Sequence, residues 1–237
     1  MTRRKRISNI LLWLLLALWN SPVMAQGQLL FTRHYNDRYA QFEFSYDLDS
    51  TKIVMLGNSL TENAGDWNAL LETNNVVNRG ISGDDARGIL HRLHQILPKK
   101  PKAIFLMCGI NDLSHNLSAG QVFLKCKEVI DSIRSGAPET TLYVQSLLPF
   151  NESFGRWKTL AGRTDDVPVI NQMLCDYCDI IGVTYINLFP RFTRGDSNIL
   201  MPSLTVDGLH LSKTGYKIWA HLLNRYVSEI NWEIPRQ

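Results

Sequence analysis

Four short segments carry side chains suited to chemistry at a carbonyl carbon. In Gly57-Asn58-Ser59-Leu60-Thr61-Glu62 a serine directly follows an apolar run, on a tight turn into a helix where backbone N–H groups face outward and favour an anion. In Asp207-Gly208-Leu209-His210 the aspartate stands three residues before a histidine. From there it can accept a hydrogen bond from the imidazole, fix the tautomer and favour the cation formed when the ring takes a proton. Asn111, within Gly109-Ile110-Asn111-Asp112, offers amide donors to the negative oxygen of a tetrahedral intermediate. Gly80, within Asn78-Arg79-Gly80-Ile81-Ser82-Gly83, lets a backbone N–H come close to a ligand. Each segment also has a plain structural reading: Ser59 with Glu62 forms a capping box, Asp207 caps a helix, Asn111 and Asp112 are turn formers, and Gly80 marks a turn. Taken together, the four point to acyl transfer through a serine nucleophile.

Such a site needs a frame. Short β-branched and aliphatic runs at 52–56, 75–78, 102–108, 141–146 and 184–188 predict five strands. Apolar residues at helical spacing predict helices over 67–73, 85–97, 118–135, 167–181 and 212–230. Strand followed by helix, repeated, implies an α/β protein with a parallel sheet covered on both faces. Ligands of open sheets bind beyond the carboxyl ends of the strands; three of the four segments directly follow a predicted strand, and the fourth precedes the last helix. An N-terminal segment closing at Asp49-Ser50 carries Tyr35, Tyr39, Phe42 and Phe44, which predicts an extra helix packed against the sheet.

The chain has 237 residues, 45% apolar and 20% charged, enough for a full core and outside the disordered and fibrous classes. Its formal charge of +3 arises at the N-terminus, where Arg3, Arg4, Lys5 and Arg6 supply four of the 25 Lys and Arg. The remaining twenty-one face 22 Asp and Glu, so the excess of positive charge that nucleic-acid binding requires is missing. The basic cluster, the apolar residues 10–19 and Val23-Met24-Ala25 read as an export signal cut after Ala25. Ten apolar residues are half of the ~20 needed to span a bilayer. The expected organisation is therefore a signal peptide over 1–25 and one domain over 26–237, periplasmic or extracellular, with no stable membrane insertion. Cys108, Cys126, Cys175 and Cys178 allow three pairings and favour none; Cys175 and Cys178 form a Cys-x-x-Cys without the second pair of a zinc site and read as packing or a local disulfide. His91 and His94 share a predicted helix without an acidic or cysteine partner, which reads as a solvated face rather than a metal site. No metal or organic cofactor is expected, and no phosphate-cradling Gly-rich Lys motif is present.

The four segments, in this order and on these elements, resemble the SGNH hydrolases, or GDSL-type esterases and lipases, over residues 52–223. The segments 77–84 and 105–113 look most like the branch related to platelet-activating-factor acetylhydrolase subunits. The resemblance implies a three-layer flavodoxin-like sandwich with a five-stranded parallel sheet. It also implies Ser59 as nucleophile, His210 as base and Asp207 as its orienting partner. The oxyanion would be held by the backbone N–H groups of Ser59 and Gly80 and by the Asn111 side chain. One position departs from the pattern, because Asn58 stands where the family usually has an aspartate before the serine. That replacement keeps the size and a hydrogen-bonding oxygen and removes a charge. The branch implies hydrolysis of short acyl groups, acetyl above all, from carbohydrates or other small esters. The connection 147–167 is long enough for Phe150, Phe154 and Trp157 to wall an acyl or sugar pocket, with His115 and Asn58 as further lining residues. A lysophospholipase or thioesterase would share every catalytic residue; a non-catalytic binder of acylated glycans would need none of them in order. The oligomeric state is not legible.

Overall fold

Short apolar runs that stop at glycine or a polar residue set the sheet. In the computed structural model, which describes residues 31–232, they form β1 (Ile53–Gly57), β2 (Val76–Gly80), β3 (Ala103–Met107), β4 (Thr141–Gln145) and β5 (Thr184–Ile186). All neighbours are parallel, in the order β2-β1-β3-β4-β5, which is the flavodoxin-like order. Every residue of β1 and β3 is buried, as a sheet covered on both faces requires. The α/β three-layer expectation is met.

The helices are α1 (Arg33–Glu43), α2 (Ser59–Glu62), α3 (Trp67–Leu71), α4 (Ala86–Arg92), α5 (Ile110–Ser114), α6 (Ala119–Gly136), α7 (Asp166–Ile181) and α8 (Lys213–Trp232). The long helices divide into two groups: α4, α6 and α7 pack side by side in one layer, and α3 packs on α8 in the other. A capping box starts α6, with Ser118 and Gln121 exchanging side-chain and backbone hydrogen bonds. The predicted helix 85–97 stops as an α-helix at Arg92 and continues as two tight turns, Leu93–Gln95 and Leu97–Lys99. Pro98 lacks an N–H and its ring excludes a continuing helix.

The N-terminal helix forms, but it rests on α4. Tyr35 Oη donates to the carbonyl of Gly88 at 2.8 Å, Tyr39 stacks on His91 at 5.3 Å, and Tyr39 Oη lies 3.0 Å from His94 Nε2. The two histidines remain exposed, as a solvated face requires, with Tyr39 laid against them. Phe44 falls just past the helix and is 79% exposed, so it takes no part in that packing. Residues 32–232 lie in one compact unit. The expected signal peptide over 1–25 lies outside the described residues, among which no helix is long and apolar enough to cross a membrane. All four cysteines are free thiols and three are buried, in keeping with packing rather than a local disulfide.

Trp219 joins the layers beneath the site. Its ring is fully buried, meets Trp67 edge-on at 5.1 Å, stacks on Tyr216 at 6.2 Å, and donates to Gln145 Oε1 at 2.7 Å. Trp219→Ala is expected to cost about 4 kcal/mol, the range for removing a buried aromatic ring, measured as a lower urea midpoint at unchanged slope.

Candidate active site

The carboxyl end of β1 turns sharply. A Cβ on Gly57 would come within 2.3 Å of Thr61 Oγ1 and 2.7 Å of the Met107 carbonyl, so only glycine lets α2 fold back over the strand end. Asn58 caps α2, its Oδ1 accepting from Leu60 N at 2.9 Å. This is the hydrogen bond a family aspartate would make from the same place. Its Nδ2 is buried without a partner among the described residues. Ser59 begins the helix, so its N–H has no intrahelical acceptor.

The histidine comes from the turn before α8. Thr205 and Leu211 form an antiparallel bridge, and Thr205 Oγ1 donates to the His210 carbonyl at 2.7 Å and accepts from Gly208 N at 2.9 Å. Gly208 has φ +92, and a Cβ there would lie 2.4 Å from the Asn151 carbonyl. Inside the turn Asp207 Oδ1 accepts from the backbone N–H groups of Leu209 and His210 at 3.0 and 2.8 Å, and Oδ2 lies 2.8 Å from His210 Nδ1. Burial pushes the Asp207 carboxyl up, but the hydrogen bonds from the His210 ring and from the two N–H groups outweigh it and leave it below the usual carboxylate range. With Nδ1–H donated to Asp207, His210 Nε2 is an acceptor, and it stands 3.0 Å from Ser59 Oγ. A hydroxyl is thus in hydrogen-bond contact with an imidazole 151 residues away, which a neighbouring carboxylate orients.

Asn111 lies in the first turn of α5, after Gly109 at φ +120. Its Nδ2 donates to the Asp84 carbonyl at 2.8 Å, which leaves the second amide hydrogen for a ligand. Gly80 does not fit the role of oxyanion donor. Its N–H donates to Asn78 Oδ1 at 2.9 Å, and a Cβ there would lie 2.2 Å from Glu62 N, so glycine at this position lets α2 pack on β2. Three residues on, Gly83 has φ +82 with open space around it, and its N–H meets no acceptor among the described residues. Glu62 is no capping-box partner either: Oε2 accepts from Ser82 N and Oγ, both at 2.6 Å, which pins the 81–84 turn to α2.

Of the other expected lining residues, Trp157 reaches the site, its ring edge-on to the His210 imidazole at 5.1 Å. His115 is on the rim, half-exposed, 3.6 Å from Asp85 Oδ2, with its N–H on the Asn111 carbonyl. Phe150 is 1% exposed and belongs to the core, its backbone bridged to Ile199; it walls no pocket. A separate cavity of about 560 Å³ opens near Arg134, Glu139, Thr141 and Thr184, at the amino ends of β4 and β5 and away from this chemistry. Among the described residues no group of three His, Cys, Asp or Glu is placed to hold a metal.

Behind the turn lie groups that motif reading misses. Arg92 is fully buried, its Nε 2.8 Å from Asp84 Oδ2 and its Nη2 3.0 Å from the Gly57 carbonyl. Burial pushes the Asp84 carboxyl up to about 7 against the pull of Arg92, and burial pushes Asp112 up to about 6 although Ala86 N donates to it at 3.0 Å. A sequence signal existed: Arg92 stands three residues after Ile89, on the buried stripe of α4.

The parallel sheet carries at its carboxyl edge a Ser59–His210–Asp207 arrangement of the geometry that serine hydrolases use. Residues 55–218 match the model of the GDSL-like Lipase/Acylhydrolase family, and the chain belongs to that family and thereby to the carboxylic ester hydrolases. It is 25% identical over 211 residues to a GDSL esterase/lipase of Arabidopsis thaliana, covering 76% of this chain and 80% of that one. It is 25% identical over 174 residues to the human Platelet-activating factor acetylhydrolase IB subunit alpha2, covering 72% of each. A GDSL-like lipase of Bacteroides thetaiotaomicron shares the fold, with a TM-score of 0.70 at 19% identity over 82% of this chain and 97% of that one.

Because the folded state holds the Asp207 carboxylate below its ordinary value of about 3.9, that group adds stability above about pH 4 and loses it as pH falls through the folded value. The gap in urea midpoint between wild type and Asp207→Asn is therefore expected to narrow as pH falls below about 4, as a pH series of unfolding curves reads directly.

Proposed function

We propose that the chain is an exported serine esterase that removes short acyl groups, acetyl first, from carbohydrate or other small esters through an acyl-enzyme. The observation that carries this reading is the 3.0 Å contact between Ser59 Oγ and the Nε2 of a histidine whose other nitrogen is held by Asp207. As Ser59 Oγ attacks the ester carbonyl, His210 takes its proton and Asp207 stabilises the imidazolium. The imidazolium then protonates the departing alkoxide, and water activated by the same ring releases the acid.

The oxyanion is held by Ser59 N–H and the free Asn111 amide hydrogen, with the open N–H of Gly83 in place of Gly80; each such donor contributes on the order of 3 kcal/mol. The neutral Asn58 preserves the cap of the nucleophile turn. Trp157 beside His210 and the part-exposed Phe154 beside Gly208 supply flat apolar surface of the kind that receives a sugar face or a short acyl chain. The acetylhydrolase relative is named for removing acetyl. Export rests on the basic cluster at 3–6, the apolar residues 10–19 and Ala25.

Residues 26–237 are expected to hydrolyse p-nitrophenyl acetate faster than butyrate and octanoate, and Ser59→Ala to lose activity by on the order of 10⁶-fold, as nucleophile removal does in other serine hydrolases. Equal rates in both proteins would remove Ser59 from the chemistry, and a rate rising with chain length would overturn the short-acyl preference. Release of acetate from acetylated xylo-oligosaccharides tests the carbohydrate assignment. Amino-terminal sequencing of the protein recovered outside the cytoplasm is expected to begin at Gln26.

A further inference from the structure

The turn carrying the nucleophile and the turn carrying the oxyanion donors come from different strands, and a guanidinium that never touches substrate spans the gap between them. Arg92 Nη2 donates to the Gly57 carbonyl at 3.0 Å, two residues before Ser59, and the same oxygen accepts from Ile81 N at 3.2 Å. Arg92 Nε binds Asp84 Oδ2 at 2.8 Å. The main-chain oxygen of Asp84 in turn accepts from Asn111 Nδ2 at 2.8 Å. The continuous path therefore runs from the nucleophile turn through Arg92 and Asp84 to the amide that faces the oxyanion.

Stability is a poor reason for this pair. Both side chains are essentially without solvent contact, and a buried ion pair is often no better than well-packed apolar residues of the same volume. Its hydrogen bonding is also incomplete, since Arg92 Nη1 and Asp84 Oδ1 have no partner among the described residues. What the planar fork does supply is a fixed separation and direction between two acceptors, which the single point charge of a lysine cannot. From this we infer that Arg92 is a positioning residue for the esterase reaction, setting the Asn111 donor against Ser59 through Asp84. The inference rests on the functional reading above, in which Asn111 stabilises the oxyanion.

Arg92→Lys keeps the charge opposite Asp84 and removes the two-way fork. On p-nitrophenyl acetate, per folded molecule, it is expected to lower kcat on the order of 100-fold, the loss that a displacement of about 1 Å can cause, with KM nearly unchanged. Asn111→Ala is expected to lower kcat by on the order of 10²- to 10³-fold. The distinguishing measurement is the double variant: if Arg92 acts through Asn111, R92K in the N111A background costs no more than about twofold further, because coupled residues do not add. Fully multiplicative losses, a change confined to KM, or an unchanged kcat per folded molecule in R92K would each overturn the positioning role. If R92K does not fold, Asp84→Asn, which keeps the main-chain oxygen that holds Asn111, is read in the same cycle with the same two outcomes. Wild-type turnover in N111A or S59A would instead overturn the oxyanion and nucleophile assignments themselves, so the two failures are distinguishable.

Discussion

The hydrogen bond between Ser59 and His210 joins residues 151 positions apart, and most of the local architecture exists to hold its two ends still. On the serine side the constraint is steric, since the strand must end in a residue without a side chain for α2 to fold back and present the hydroxyl. On the histidine side it is electrostatic: one carboxylate accepts two backbone N–H groups and the imidazole, so the ring has one tautomer and one orientation. Asn151 then ties that turn to the body, its N–H donating to the Gly208 carbonyl at 2.6 Å. Neither end requires a flexible element to move into place.

The same constraint explains the unusual amount of buried charge on this side of the sheet. Asp84, Arg92 and Asp112 are all essentially buried, where ionised groups carry a desolvation penalty of several kcal/mol each before pairing. They surround the turn 81–86, which Glu62 pins from one side through Ser82 and Asp112 from the other through Ala86. In the proposed reaction this turn offers donors to a transient anion and so leaves some of its own N–H groups unsatisfied, and a set of outside anchors compensates for the missing internal bonds. The elevated carboxyls of Asp84 and Asp112 are the electrostatic trace of that arrangement.

The sheet was legible because parallel strands buried on both faces read as unbroken apolar runs, and the runs at 52–56 and 102–108 overlap β1 and β3 to within a residue or two. Ser59, Asp207 and His210 were legible because each motif carries its chemistry locally and only their pairing is tertiary. The remaining positions depended on packing that no local pattern encodes. Gly80 looks like any turn glycine until the Glu62 backbone is placed over it. Phe150 in a long loop can face a pocket or the core, and only the bridge to residue 199 decides. The tightening after Arg92 was available from Pro98, whereas the pairing of Arg92 with Asp84 required knowing that the inner stripe of α4 meets the end of β1.

Reaction with a fluorophosphonate tests the central arrangement most directly, because an activated serine displaces fluoride to form a stable phosphonyl ester, whereas an ordinary surface hydroxyl does not react appreciably. Intact-mass and peptide-mapping spectra of the treated protein are expected to show one adduct, on the peptide bearing Ser59, and none in His210→Ala at the same exposure. An unmodified Ser59 in the folded wild-type protein, or an adduct that forms equally fast without His210, would contradict the account.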